Sequence, residues 1–363
     1  MIGALLRRAD RWLFEEYRTS TEDLALFRII FGVYALVATL PAGLWTLPQA
    51  AFSPPVSIAA LFTSFPGPGV MLALNAAAML CASSLIIGLY TAASSLGLAC
   101  TALLINSFAF ADGKIDQGLV IWIASVLAFS GWGSAFSVDA RRAGAPSGES
   151  AHQAWLLAMF ALLLGFAMFT AGSAKARGGW LRFDTLGTRY HLFWNYFVTG
   201  RTTALATWAW GNLPPWAWKA ADFSTVLWEI GFVCSVIRKR ACLLMGAIGT
   251  LFHVGVWLLF DIKIAANVIG YAAFVSWASL WPGATVALRS WLHRASPNAR
   301  MLLCATPYAF SVCSLFVLGA ALQLQIAMLT THVVLCVGLL FGVGYLALQA
   351  RAFATALYLR VIR

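Results

Sequence analysis

The chain is short of carboxylates. Its 363 residues include 13 Asp and Glu against 24 Lys and Arg, giving a formal net charge of +11, and charged residues of every kind make up only 10%. A soluble domain carries about a quarter charged residues, so a soluble globular protein is excluded. No internal repeat, low-complexity tract or hydrophilic stretch long enough for a soluble domain interrupts the sequence. Cys81, Cys100, Cys234, Cys242, Cys304, Cys313 and Cys336 all lie in apolar runs, none as Cys-x-x-Cys and none in a Cys/His cluster of zinc-ligand spacing. They read as small buried hydrophobes, and no metal is expected. The short alternating segments of a membrane barrel are absent too. Residues 1–18 lack the apolar core and small-residue cleavage site of a signal peptide.

What the chain has instead is hydrocarbon. Hydrophobic residues make up 61%, and mean hydropathy is +0.82. The apolar residues gather into runs of about twenty, the length of a bilayer-crossing helix. Such runs fall at 24–44, 68–88, 91–111, 116–136, 152–172, 217–237, 241–261, 264–282, 301–322 and 327–348. Because a span must satisfy its backbone internally, the expected fold is an all-α integral membrane protein, a polytopic bundle of about ten transmembrane helices. Residues 1–21, with basic side chains interleaved with Leu5, Leu6, Trp12, Leu13 and Tyr17, read as an amphipathic helix lying in the interface. Thr19-Ser20-Thr21-Glu22 reads as a capping box opening the first span. The main transmembrane domain covers 22–282 and a C-terminal transmembrane hairpin 283–363.

Loop arginines and lysines set the orientation. Arg7, Arg8, Arg11, Arg18, Arg141, Arg142, Arg238, Lys239, Arg240, Arg289, Arg294, Arg300, Arg351, Arg360 and Arg363 all fall on one side of a ten-span chain. That side is the cytoplasm, with both termini in it, and the membrane is the plasma (inner) membrane. Membrane lipids are expected partners; the positive charge answers anionic lipid rather than nucleic acid. One connection breaks the pattern. Residues 169–219 carry Lys175, Arg177, Arg182, Arg189, Arg201 and Lys219 against the single carboxylate Asp184, on the exterior face. Trp194, Trp208, Trp210, Trp216 and Trp218 in the same stretch suit a segment half-sunk in the interface.

Intramembrane polar residues are costly and mark function or pairing. Glu229 lies near mid-depth of the sixth run, with Asp222 two turns away, and Arg28 in the first run is offered as a partner for Glu229. His253 and His332 lie in apolar runs, and Asn75, Asn106 and Asn267 read as interhelical hydrogen-bonding residues. Lys175 follows an apolar span beside Arg177 and near Arg182. Like charges and partial desolvation disfavour its protonated amine, which makes it a candidate general base. The arginines suit a carboxylate, carbon dioxide or a phosphate head group.

Five pieces in order resemble one family. Leu24-Ala25-Leu26-Phe27-Arg28-Ile29-Ile30-Phe31-Gly32, Ser137-Val138-Asp139-Ala140, Phe169-Thr170-Ala171-Gly172-Ser173-Ala174-Lys175 with Trp180, Arg189 with Leu192-Phe193, and Phe252-His253 are similar to the horizontally transferred transmembrane (HTTM) domain family. This family includes the membrane domain of vitamin K-dependent gamma-glutamyl carboxylase. The resemblance covers about residues 22–282. It implies Lys175 and His253 as catalytic residues, Arg177, Arg182, Arg189 and Trp180 as substrate- or cofactor-binding, and a reduced, vitamin K-like quinone as cofactor. Where the carboxylase has a histidine, the chain reads Asp112-Gly113-Lys114-Ile115-Asp116-Gln117, with Asp116 near the matching place. The carboxylase's lumenal domain has no counterpart. Three functions stay open: a quinol-linked enzyme modifying a secreted peptide or a lipid, a non-catalytic factor for maturation or export of a secreted peptide, and a lipid or solute transporter.

Overall fold

A computed structural model of the chain describes residues 2–38, 52, 58–109, 115–144, 154–294 and 320–361. All regular structure among them is helical. The helices are α1 (Ile2–Arg11, continued by a π turn at Trp12–Glu16), α2 (Thr21–Ala38), α3 (Pro68–Ile87), α4 (Thr91–Ala109), α5 (Ile115–Leu127), α6 (Val138–Arg142) and α7 (Ala154–Arg177). After these come α8 (Gly187–Phe193, continued by a π turn at Trp194–Val198), α9 (Ala204–Asn212), α10 (Pro215–Ser235), α11 (Lys239–Phe260), α12 (Ala265–Ala272), α13 (Trp277–Leu280), α14 (Pro282–Arg294) and α15 (Ala320–Val361). Among the described residues, five segments are long and apolar enough to cross a membrane: Pro68–Ile87, Thr91–Phe108, Ala154–Arg177, Lys239–Phe260 and Met328–Ala356.

The chain divides into two compact units, Met1–Phe160 with Val275–Thr330, and Ala161–Phe274 with Thr331–Arg363. In the first, α3 packs on α2 and α4, and α4 on α5. In the second, α11 packs on α9, α10 and α12, and α8 lies on α10.

Four expected spans, 68–88, 91–111, 217–237 and 241–261, coincide closely with α3, α4, α10 and α11. Others differ. The ninth run, 301–322, lies outside the described residues apart from its last three, and the tenth is part of the 42-residue helix α15. The run 264–282 is broken: α12 ends at Ala272, and the chain changes unit between Phe274 and Val275. Ala278 N–H beyond the break donates to Asp23 Oδ1 at 2.8 Å. The fourth run stops as a helix at Leu127 and continues as turns. Unpaired carbonyls in such surroundings need donors, and Arg28 supplies them. Its Nη1 donates to the carbonyls of Trp132 (3.0 Å) and Ala135 (3.4 Å), and its Nη2 to that of Phe136 (2.6 Å). Arg28 is fully buried, under a stack formed by Phe27, Phe31 and Trp132.

The helix caps lie close to that guanidinium. Gly88, in a left-handed conformation (φ 68°), ends α3 and donates to the carbonyls of Leu85 and Ser84. Asp139, at the first turn of α6, accepts from Tyr90 N (2.9 Å), Thr91 N (2.6 Å) and Thr91 Oγ1 (2.7 Å), and its own N–H donates to Gly88 O. Ser137 caps α6 by accepting from Ala140 N at 2.8 Å. The Ser-Val-Asp-Ala motif is therefore a clasp between the α3–α4 turn and the start of α6. At the start of α2 the capping residue is Ser20, accepting from Asp23 N at 3.0 Å, one position later than the expected box. Glu22 pairs with Arg289 instead. Asn75, expected to bond across helices, donates to Met71 O in its own helix.

A Cβ at Gly88 would lie 2.2 Å from Ser137 Cβ and 2.6 Å from Arg28 Nη1. Left-handed backbone costs a non-glycine residue roughly 1–2 kcal/mol before any clash. Gly88→Ala therefore lowers the thermal midpoint of the detergent-purified protein. Adding Ser137→Gly removes the shortest of these contacts for a few tenths of a kcal/mol of cap energy, while those with Arg28 Nη1 and with Ser137 Cα at 2.9 Å stay, so the double variant melts above the single one but below the native protein. A double variant that melts below the single one would show that the clasp does not depend on this close approach.

Candidate functional site

The second unit concentrates its polar groups on one face of α10. Helix α7 is apolar until its last turn, where Lys175 emerges half-buried. It reaches α10 because Gly172, one turn earlier, lets the backbones close: a Cβ there would meet Glu229 Cβ at 2.8 Å and Ile230 N at 3.0 Å. Lys175 Nζ donates to both carboxylate oxygens of Glu229, at 2.6 and 2.7 Å. The Glu229 side chain is 7% exposed and that of Lys175 28%. The Trp180 ring centroid is 5.7 Å from the same ammonium, a cation–π approach that adds attraction without a second charge.

Seven residues back along α10, and so two turns away on nearly the same face, Asp222 is fully buried. It accepts from Gly187 N (3.0 Å), Thr188 N (2.6 Å) and Thr188 Oγ1 (2.7 Å), which fastens the start of α8 to α10. Lys219 Nζ donates to Asp222 Oδ2 (2.8 Å) and to Trp180 O (2.9 Å). Trp180 is therefore held between two lysines, by its ring on one and its carbonyl on the other.

Of the residues singled out from the sequence, Lys175, Glu229 and Trp180 come together. The expected like-charged surroundings of Lys175 are corrected: its nearest charge is the carboxylate of Glu229. The offered Arg28–Glu229 pair is corrected too, since Glu229 is bound by Lys175 and Arg28 by three carbonyls. Arg182 pairs with Asp184 at 2.5 Å, both exposed, and this hydrogen bond lowers the Asp184 carboxyl pKa. Arg177, exposed at the end of α7, has no ion pair among the described residues. Arg189 lies over Trp210, 4.8 Å from the ring centroid. Asp116 falls in the first turn of α5, and its side chain lies outside the described residues.

His253 is a buried core histidine. Its Nε2 lies 2.9 Å from Tyr271 Oη and 3.3 Å from Asn267 Nδ2, and its ring is parallel to that of Tyr271. His253 Nδ1 and Asn267 Oδ1 are buried without a partner. Asn267 thus bonds across helices, as expected. His332 packs on Trp257. No group of three or more metal-ligating side chains occurs among the described residues.

Sequence reasoning missed the anchoring role of Asp222 and the part played by Tyr271. The Lys219–Asp222 spacing of three residues, which places both on one helix face, was the available signal for the first. Nothing local to Tyr271 announces its contact with a histidine 18 residues away.

Removing one partner of a buried ion pair costs about 3–5 kcal/mol, and replacing both with apolar residues is often neutral. Partial exposure of Lys175 puts this pair at the low end. Lys175→Met alone is expected to lower the thermal midpoint, and Lys175→Met with Glu229→Leu to restore most of it. Equal losses in the single and double variants would show that the pair is not coupled.

Comparison with protein-family models, with curated proteins and with solved structures finds no match.

Proposed function

We propose that the protein is a multi-pass membrane enzyme of the HTTM type. In this reading the Lys175–Glu229 pair exchanges a proton with a weakly acidic, membrane-borne reactant, and the chain modifies a secreted peptide or a lipid. The observation that carries the reading is the two-oxygen grip of Glu229 on a half-buried lysine at the end of an apolar helix. Such a pair has two forms close in composition, ammonium with carboxylate and amine with carboxylic acid. Transfer of one proton from Lys175 to Glu229 converts the first into the second. In that form Lys175 presents a free amine, and Glu229 stores the proton it gave up. Glu229 is thereby the positioning and proton-holding group, and Lys175 the base that meets the reactant.

A reduced quinone fits these residues in kind. Its acidic hydroxyl suits the amine, and its flat ring suits the face of Trp180. When bound it would supply the electrons for activating oxygen. Support from the sequence is the resemblance of Phe169–Lys175 and Trp180 to the carboxylase segment. The same reading places ten spans in the plasma membrane, both termini in the cytoplasm and residues 178–214 outside.

Two measurements test it. Mass spectrometry of the protein purified in mild detergent should find a quinone with the native chain and none with the Lys175→Met/Glu229→Leu variant. Phospholipid alone with both would favour a non-catalytic maturation factor or a transporter. Phe183, 85% exposed, replaced by cysteine, should react with a membrane-impermeant maleimide added to intact cells. Reaction only after permeabilisation would reverse the orientation.

A further inference from the structure

Helices α8 and α9, with the π turn between them, are apolar on both sides. Inward, Leu192, Ala206 and Ala209 pack with Trp218 and Phe260. Outward, Tyr190 (66%), Trp194 (49%), Phe197 (53%) and Trp208 (54%) stand exposed. A helical segment apolar on opposite sides has protein on one and hydrocarbon on the other. Tyr and Trp are the residues that gather at the level of lipid head groups.

Arg189 lies in this setting without an anion. Its guanidinium rests on the Trp210 ring, and its Nε is buried with no hydrogen-bond partner. No ion pair engages it among the described residues. Three lysines of this unit each meet a carboxylate: Lys175 meets Glu229, Lys219 meets Asp222 and Lys263 meets Asp261. The terminal Nη groups of this planar, permanently charged guanidinium, rather than its buried Nε, match the two-oxygen edge of a phosphate. The aromatic surroundings select one source of that phosphate, because a lipid brings acyl chains for the exposed rings and a free ion brings none.

We propose that Arg189 and Trp210 bind the phosphodiester of a phospholipid, which seats the α8–α9 segment at the membrane boundary. The site is independent of the proposed chemistry at Lys175. The test is native mass spectrometry of the full chain titrated with phosphatidylglycerol, for native protein and for Arg189→Gln, Arg189→Lys, Trp210→Leu and Arg201→Gln. Arg189→Gln should weaken the tightest lipid adduct roughly tenfold, the order of a lost charge-assisted hydrogen bond. Arg189→Lys should recover part of it. Arg201→Gln, at an exposed arginine, should leave it unchanged. Elution as a single symmetric peak checks folding, and if Arg189→Gln fails that check, the expected weakening is read from Trp210→Leu. Unchanged lipid occupancy in both variants overturns the proposal, as does equal loss in Arg201→Gln. Displacement of the lipid by inorganic phosphate would make the ligand a free anion and also overturns it. The Lys175→Met/Glu229→Leu variant should lose the quinone and keep this lipid adduct, so failure here and failure of the proposed function are separable.

Discussion

Hydrocarbon offers no hydrogen bonds, so in a chain this apolar each buried charge and each interrupted carbonyl must find its partner within the protein. The described structure is organised around a few such meetings. In the first unit a fully buried guanidinium takes up the carbonyls left where α5 stops, and Gly88, Ser137 and Asp139 close around it. In the second, two lysine–carboxylate pairs lie along one face of α10, with Trp180 between them. Polar interactions of this kind are directional, which apolar contacts are not. They are therefore what specifies how the helices are placed, while the apolar surfaces supply the tendency to associate.

The sequence was most legible where hydropathy and punctuation agreed. Helix α3 begins at Pro68, capped by Gly67, and ends at Gly88, and its run of apolar residues has the same limits. It was least legible where a distant side chain decided the outcome. Residues 128–136 contain Ser130-Gly131-Trp132-Gly133-Ser134, a cluster that marks a turn but does not say what answers the carbonyls exposed there. What makes the stop tolerable is Arg28, about a hundred residues earlier in the chain. Glu229 and Lys175 were both legible as unusual residues, but their pairing across 54 positions was not. Arg28 was an equally good partner on charge alone. The close approach allowed by Gly172 is a property of two helices together, and a lone glycine in an apolar run does not announce it.

The structure also changes what the charge excess of residues 169–219 means. The segment has one carboxylate of its own, Asp184, but α10 reaches back with Asp222 and Glu229, which lie beyond it. Both lysines are answered in this way, and Arg182 is answered by Asp184. What remains without an ion pair among the described residues is arginine: Arg177, Arg189 and Arg201. The division follows the chemistry of the two side chains. A lysine ammonium is a compact point charge, and both lysines are set against a carboxylate. Guanidinium stays charged and offers a fork of donors, and of the unanswered arginines Arg189 rests on an aromatic ring, that of Trp210. A segment that first reads as one basic patch thus resolves into two arrangements, lysines set against buried carboxylates of α10 and arginines without an ion pair among the described residues.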